Sequence, residues 1–260
     1  MAKHAWIEFP YADKAYLHTA ASLRKNWERL HKGDHETFPE DKDLVQAWIH
    51  YHAGAFGRAV EAGLAAGPDG WNVANRAQNI YTNGLEEDEA SQLESFQQVI
   101  ARCERLIEEQ PDNANNFYNH AYALGRYSQG ISVVKALAQG LGGKIKSSLT
   151  RALELDPLHA DSHVAMGTYH AEVIDKVGSL IGGLTYGASE KKGLEHYRKG
   201  MEIFPESPIY KIEYANGLVM LQGKSKFKEA EKLYQEAAKH TPVDAMERLD
   251  VETAKAELEG

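Results

Sequence analysis

Five prolines divide this chain into segments of uneven length. They are Pro68, Pro111, Pro157, Pro205 and Pro242, separated by 43, 46, 48 and 37 residues. Each proline follows a run of apolar and alanine residues with helical spacing, and each precedes another such run. Proline cannot continue an α-helix, because its ring removes a backbone N–H and clashes with the preceding turn. The sequence therefore predicts a series of helix pairs that turn at the prolines.

The helical runs around these prolines repeat an order of large and small side chains. In a helix–turn–helix repeat of about 34 residues, the first helix carries large, small and large residues on successive turns, and the second carries small, large and small residues before the proline. Small residues at these places let two helix backbones approach closely. This order is carried by Phe117, Ala121 and Leu124 after Pro111, and by Ala230, Tyr234 and Ala237 before Pro242.

The excess of each segment over the 34-residue repeat falls between its two helices. The insertions have nine, twelve, fourteen and three residues in chain order. The twelve- and fourteen-residue insertions carry apolar residues at helical spacing, so they predict lengthened first helices, or arms. We expect Gly142–Gly143 and Gly182–Gly183 to form the turns that end these helices. The arms are expected to pack on one another; a dimer contact or a lid over the groove is the alternative.

This pattern resembles the tetratricopeptide repeat (TPR) superfamily over roughly residues 40–245. The segment 163–207, HVAMGTYHAEVIDKVGSLIGGLTYGASEKKGLEHYRKGMEIFPES, also resembles the irregular TPR proteins of the TatT and regulator-of-microtubule-dynamics type. The resemblance implies an all-α, right-handed TPR-like helical solenoid with elongated hairpins. One domain, 1–260, is then expected, with an N-terminal capping helix in 1–40, about five irregular repeats in 41–243 and a C-terminal capping helix in 244–260. Within the first cap, the helix is predicted over 11–32.

The resemblance also implies a binding surface, because TPR solenoids bind partners on the concave face formed by their first helices. The residues at the corresponding positions are rich in asparagine, tyrosine and arginine, which suit an extended peptide or a carboxylate-bearing tail. The alternative is that the asparagines cap or bridge helices within the stack. The predicted binding residues are Asn72, Asn75, Arg76, Asn79, Asn83, Asn115, Tyr118, Asn119, Tyr122, Arg126, Thr168, Glu172 and Asn216.

Three histidines raise the question of a metal site. His159, His163 and Glu172 could supply zinc ligands, or His163 and His170 could line a pocket with Glu172. The glutamate that follows the first histidine in the HExxH motif is replaced by Ala160, so packing or local hydrogen bonding is the preferred interpretation. We therefore predict no metal and no cofactor.

Charge and composition exclude some partners. The net charge of −9 opposes binding to nucleic acid, which requires a concentrated basic surface. The sequence shows neither a signal peptide nor an apolar run long enough to cross a bilayer, so a cytoplasmic protein without membrane insertion is expected. We predict a non-catalytic scaffold for a peptide or protein. The alternatives are a protein that binds a small molecule or metal between the arms, and a subunit that self-associates, for example as a homodimer through the apolar insert helices.

Overall fold

The computed structural model describes residues 6–259, which form thirteen α-helices and no strand. Short 3-10 helices lie at Lys14–Tyr16, Gly67–Gly70 and Gly223–Lys226. No helix in the described part of the chain combines the length and the apolarity needed to cross a membrane. The helices are α1 Ala20–Leu30, α2 Lys42–His52, α3 Phe56–Ala65, α4 Trp71–Gly84, α5 Glu89–Glu109, α6 Ala114–Gln129, α7 Val133–Ala138, α8 Leu141–Leu155, α9 Ala160–Tyr186, α10 Glu190–Ile203, α11 Pro208–Gln222, α12 Phe227–Ala238 and α13 Ala245–Glu259.

The helices pack as successive antiparallel pairs, as the prolines predict. The pairs are α2 with α3, α4 with α5, α6 with α8, α9 with α10 and α11 with α12. Each of the five prolines lies in the connection between one pair and the next element. Among the first helices, α4 contacts α6, α6 contacts α9, and α9 contacts α11, which builds a continuous stack. The predicted all-α, TPR-like solenoid is therefore confirmed.

The first long insertion differs from the prediction. Helix α6 ends at Gln129 without being lengthened, and the insertion forms the separate short helix α7. The turn into α8 is made by Gly140, whose φ of 64° lies in the left-handed region that glycine adopts without steric cost. Gly142 and Gly143 lie in the first turn of α8. The prediction that Gly142–Gly143 ends a lengthened first helix is therefore wrong.

The second long insertion does lengthen its first helix, with an interruption. Helix α9 spans 27 residues, and Gly178, at φ 79° and ψ 158°, breaks its backbone geometry. Gly182 and Gly183 lie inside the last turns of α9, whereas the left-handed residue that ends the helix is Gly187, at φ 63°. The N–H of Gly187 donates to the carbonyl of Gly183, which closes the helix end. The predicted turn is thus displaced from Gly182–Gly183 toward the C-terminus.

The N-terminal cap is shorter than predicted. Instead of one helix over 11–32, the chain forms the 3-10 turn Lys14–Tyr16 and then α1. Thr19 sets the start of α1, because its side chain accepts from the Ser22 N–H while the Ser22 hydroxyl accepts from the Thr19 N–H. This helix places Trp27 in the core of the first repeat.

The two ends of the solenoid meet through helix α13. Helix α13 packs on α11, α12 and α2, and Leu249 joins the same apolar cluster as Trp48 of the first repeat. A buried polar chain links the same segments: His52 Nδ1 lies 2.8 Å from Asp244 Oδ2, and His52 Nε2 lies 3.2 Å from His31 Nε2. Helix α13 therefore borders the concave face of the stack.

Candidate functional site

Part of the predicted concave face is occupied by a loop of the same chain. The loop after α1 enters the face and presents Glu36, whose Oε2 accepts from the side-chain amides of Asn72 and Asn115. The Asn115 amide also donates to the backbone carbonyl of Asp34 at 3.0 Å. Burial raises the pKa of Glu36 to about 8, and the nearby Asp34 adds to the rise. Asn72 and Asn115 are therefore occupied by the protein's own N-terminal segment.

The remaining buried asparagines connect helices inside the stack. The Asn119 amide donates to Asn72 Oδ1 at 2.7 Å, and the Asn79 amide donates to the backbone carbonyl of Asn119 at 3.3 Å. Asn75 is fully buried, and it donates to Cys103 Sγ while accepting from Arg102. These contacts agree with the alternative interpretation of the asparagines, in which they bridge helices within the stack.

Arg76 is the centre of a buried ion cluster. Its guanidinium lies 2.9 Å from Asp34 Oδ2 and 3.1 Å from Asp161 Oδ2, and its Nε donates to the Tyr51 hydroxyl. Tyr210 donates its hydroxyl to the second oxygen of Asp161. Burial by itself would raise the pKa of Asp34, but Arg76 and then His31 lower it well below its ordinary value. The cluster ties the N-terminal loop to the stack.

A central cavity of about 460 Å³ remains at the concave face. Helices α4, α6, α9, α11 and α13 surround it, and α7 and the lengthened part of α9 form one side. Nine of the thirteen predicted binding residues line this cavity, whereas Asn72, Asn75, Asn115 and Asn216 do not. The nine are Arg76, Asn79, Asn83, Tyr118, Asn119, Tyr122, Arg126, Thr168 and Glu172. Their role in binding stays a prediction.

The charged side chains of the cavity are largely paired with one another. Arg126 lies 3.0 Å from Glu213 Oε1, and the Thr168 hydroxyl donates to Glu213 Oε2 at 2.9 Å. Lys176 lies 2.5 Å from Glu172 Oε2, which is an i, i+4 pair on α9. These pairs fix the side chains that line the polar part of the wall.

Among the described side chains of the wall, two buried polar atoms have neither a hydrogen-bond partner nor an ion-pair partner. They are Asn79 Oδ1 and Asp250 Oδ2. Burial raises the pKa of Asp250 well above its ordinary value, and the carboxylates of Asp244 and Glu247 act in the same direction. Neither Asp250 nor Glu213 was predicted from the sequence. Asp250 lies in α13, and the sequence contains no signal that this helix would reach the concave face.

The arms supply many of the apolar side chains of the cavity wall. Both arms line it, so the two insertions face a common space. Packing of the arms on one another and the alternative of a lid both stay predictions. The apolar wall contains Ile131, Val133, Leu137, Leu141, Val173 and Val177.

The histidines have local partners away from the cavity. His159 accepts from the Ser162 N–H at the start of α9 and lies 2.9 Å from Asn115 Oδ1 through its other nitrogen. His163 lies 3.0 Å from His196, and His170 accepts from the Ser189 N–H. Within residues 6–259, no group of three or more potential ligands is arranged to hold a metal ion. The predicted alternative of a pocket around His163 and His170 is wrong for these two histidines, although Glu172 does line the cavity beside the arms.

Comparison with known proteins identifies the fold. No family model matches the chain, and no curated protein matches it significantly. Among solved structures, the chain is similar to a thermophilic TPR protein in Thermus thermophilus, with a TM-score of 0.59 and 16% sequence identity. The match covers 84% of this chain and 100% of the other. Since the helix pairs, their prolines and this superposition agree, the chain has the helical-repeat fold of TPR proteins.

Proposed function

We propose that this protein is a non-catalytic binding module whose ligand occupies the central cavity. The observation that carries the proposal is the occupation of part of the concave face by the chain itself: the loop at Glu36 bonds to Asn115, and helix α13 lies beside the first helices, where a peptide would otherwise bind. The volume that remains, about 460 Å³, lies within the range of roughly 300–1,000 Å³ found for small-molecule sites. Its wall contains both polar and apolar side chains, which suits an amphipathic ligand.

The chemistry of the wall favours binding over catalysis. Arg126 and Lys176 are each paired with a glutamate, so they stabilise the wall and are not free to act on a substrate. The single cysteine, Cys103, lies on α5 and contacts α4 away from the cavity, and burial raises the pKa of its thiol to about 12. A thiol with so high a pKa is a poor nucleophile at neutral pH.

A glycine in the cavity wall gives a direct test. Gly125 lies on α6, and a Cβ built there meets no atom within 4 Å. The change Gly125→Leu should therefore fill part of the cavity without clashing with the helix pair, and it should raise helix propensity. Gly143→Leu is the matched control, because Gly143 also lies in a helix with open space at its Cβ but is exposed and outside the cavity.

The measurement is fluorescence titration with the neutral apolar dye N-phenyl-1-naphthylamine. We expect saturable binding at one site in the unmodified protein and in Gly143→Leu, and a loss of binding of about tenfold or more in Gly125→Leu. Thermal unfolding by circular dichroism verifies that both variants fold. Equal dye binding by the two variants, or no saturable binding by the unmodified protein, would refute the cavity as the binding site.

A second candidate function is protein binding through the exposed side of the arms. We call this surface the arm face; it consists of Leu180, Ile181 and Leu184 near the C-terminal end of α9, whose exposed fractions lie between 55% and 82%. Apolar side chains grouped on a surface are typical of interaction sites. Light scattering over a dilution series tests a second copy of the chain as the partner. A monomeric mass at every concentration, unchanged by Leu184→Lys, would exclude this homodimer.

A further inference from the structure

The two unpartnered atoms of the cavity wall, Asn79 Oδ1 and Asp250 Oδ2, are both oxygens that can accept hydrogen bonds. The Asn79 amide nitrogen is engaged by the Asn119 carbonyl, which leaves Asn79 Oδ1 as a free acceptor on a side chain that is only 2% exposed. Asp250 Oδ2 is a second buried acceptor without a donor. A buried acceptor without a donor costs about 1–3 kcal/mol. Both residues line the cavity, but the two unpartnered oxygens have almost no accessible surface, so a ligand that donates hydrogen bonds would satisfy them only after these side chains rotate toward it.

The balance of charge around the cavity indicates the sign of that ligand. Its described wall contains three cationic side chains and four carboxylates. The three cations are already paired: Arg76 with Asp34 and Asp161, and the other two with the glutamates described above. The acidic side chain that remains is Asp250, whose raised pKa favours the protonated form while no cation is near. A cation in the cavity would favour the ionised form of Asp250 and pair with it, whereas an anion would oppose that ionisation.

The position of Asp250 relates the polar part of the cavity to the apolar part. Asp250 and Tyr122 both line the cavity. Tyr122 lies on α6, the helix that leads into the apolar arm beginning at Ile131. A ligand with its charged end at Asp250 therefore has apolar wall available for the rest of its length.

We propose that the cavity binds an alkylammonium ligand, with its ammonium paired to the Asp250 carboxylate and its apolar chain between the arms. The proposal rests on the proposed function, since it specifies the ligand class of the same cavity. It explains why a carboxylate is kept without a partner in a wall where the other charged groups are paired.

The test compares three probes with the same alkyl chain, each displacing N-phenyl-1-naphthylamine. The probes are n-octylammonium, n-octanol and n-octanoate at about pH 7. We expect the ammonium to bind about tenfold more tightly than the alcohol and the carboxylate to bind most weakly, because only the ammonium can pair with ionised Asp250. In Asp250→Asn, the affinity for octylammonium should fall to that for octanol, while the affinity for octanol should not change.

Two variants separate this effect from changes in folding or in overall charge. Asp250→Asn keeps the size of the side chain, so it should fold, and its thermal unfolding shows whether it does. Glu257→Gln is the matched control, because it removes one negative charge from an exposed position on the same helix. It should leave the preference for octylammonium intact.

The outcomes distinguish the two proposals. Equal affinities for the three probes, or a preference for octylammonium that survives Asp250→Asn, would overturn the assignment of a cationic ligand. If those probes still lose affinity in Gly125→Leu, the cavity remains the binding site and the proposed function stands. Absence of binding by the dye and by all three probes would overturn both.

Discussion

Replacement of Arg76 by methionine tests whether the ion cluster that ties the N-terminal loop to the concave face stabilises this protein. The Arg76 side chain is 9% exposed, and its partners Asp34 and Asp161 are 1% and 10% exposed. Arg76→Met keeps much of the apolar stem but leaves two buried carboxylates without their cation. Removal of one partner from a buried ion pair typically costs about 3–5 kcal/mol. For a domain of this size, this corresponds to a fall in Tm of about 6–20 °C.

Urea and thermal unfolding followed by circular dichroism measure the loss. Arg151→Met is the control, since Arg151 pairs with Asp112 and Glu154 on the surface and should cost less than about 1 kcal/mol. The double variant Asp34→Asn/Arg76→Met should be more stable than the sum of its single changes predicts, because it removes one of the uncompensated carboxylates. A loss for Arg76→Met no larger than that for Arg151→Met would refute the argument, because it would mean that the ion cluster does not stabilise the protein.

Two further predictions concern packing and pH. Gly217→Ala should destabilise the protein by about 1–3 kcal/mol, because the new Cβ would clash with the Tyr197 ring. Gly143→Ala, at an exposed helix position, should stabilise it by about 0.5–1 kcal/mol. Urea unfolding checks both signs. Acidification from about pH 7 to about pH 4 should lower the urea midpoint, and a constant midpoint would contradict the expectation. Burial lowers the pKa of His52 below 6.5 and the pKa values of His120, His170 and His196 to about 4, so protonation below pH 6.5 favours the unfolded chain. These histidines together outweigh Glu36, whose raised pKa acts in the opposite direction. Hydrogen bonds from His52 and from the Glu247 N–H outweigh burial and lower the pKa of Asp244 below 3.8, so its stabilisation is lost as the pH falls further.

The sequence contained much of the information about the candidate site, but not its geometry. The concave-face positions predicted from the repeat pattern are the positions that meet around the cavity, because residues at equivalent places in stacked hairpins face the same side. The pattern could not show that Glu36 would occupy Asn72 and Asn115, since these contacts join residues that are distant in the sequence. It also could not place Asp250, which reaches the cavity only because α13 crosses the stack.

The sequence by itself determined the helix pairs. Proline punctuation, small residues at the close contacts and a helical apolar period all act over one or two turns, so they can be recognised without tertiary structure. Only the tertiary structure decided that the two ends of the solenoid meet and border a central cavity. That closure depends on the curvature accumulated over five hairpins and on contacts such as Asp244 with His52, which lie 192 residues apart. Local periodicity contains no information about contacts at that separation.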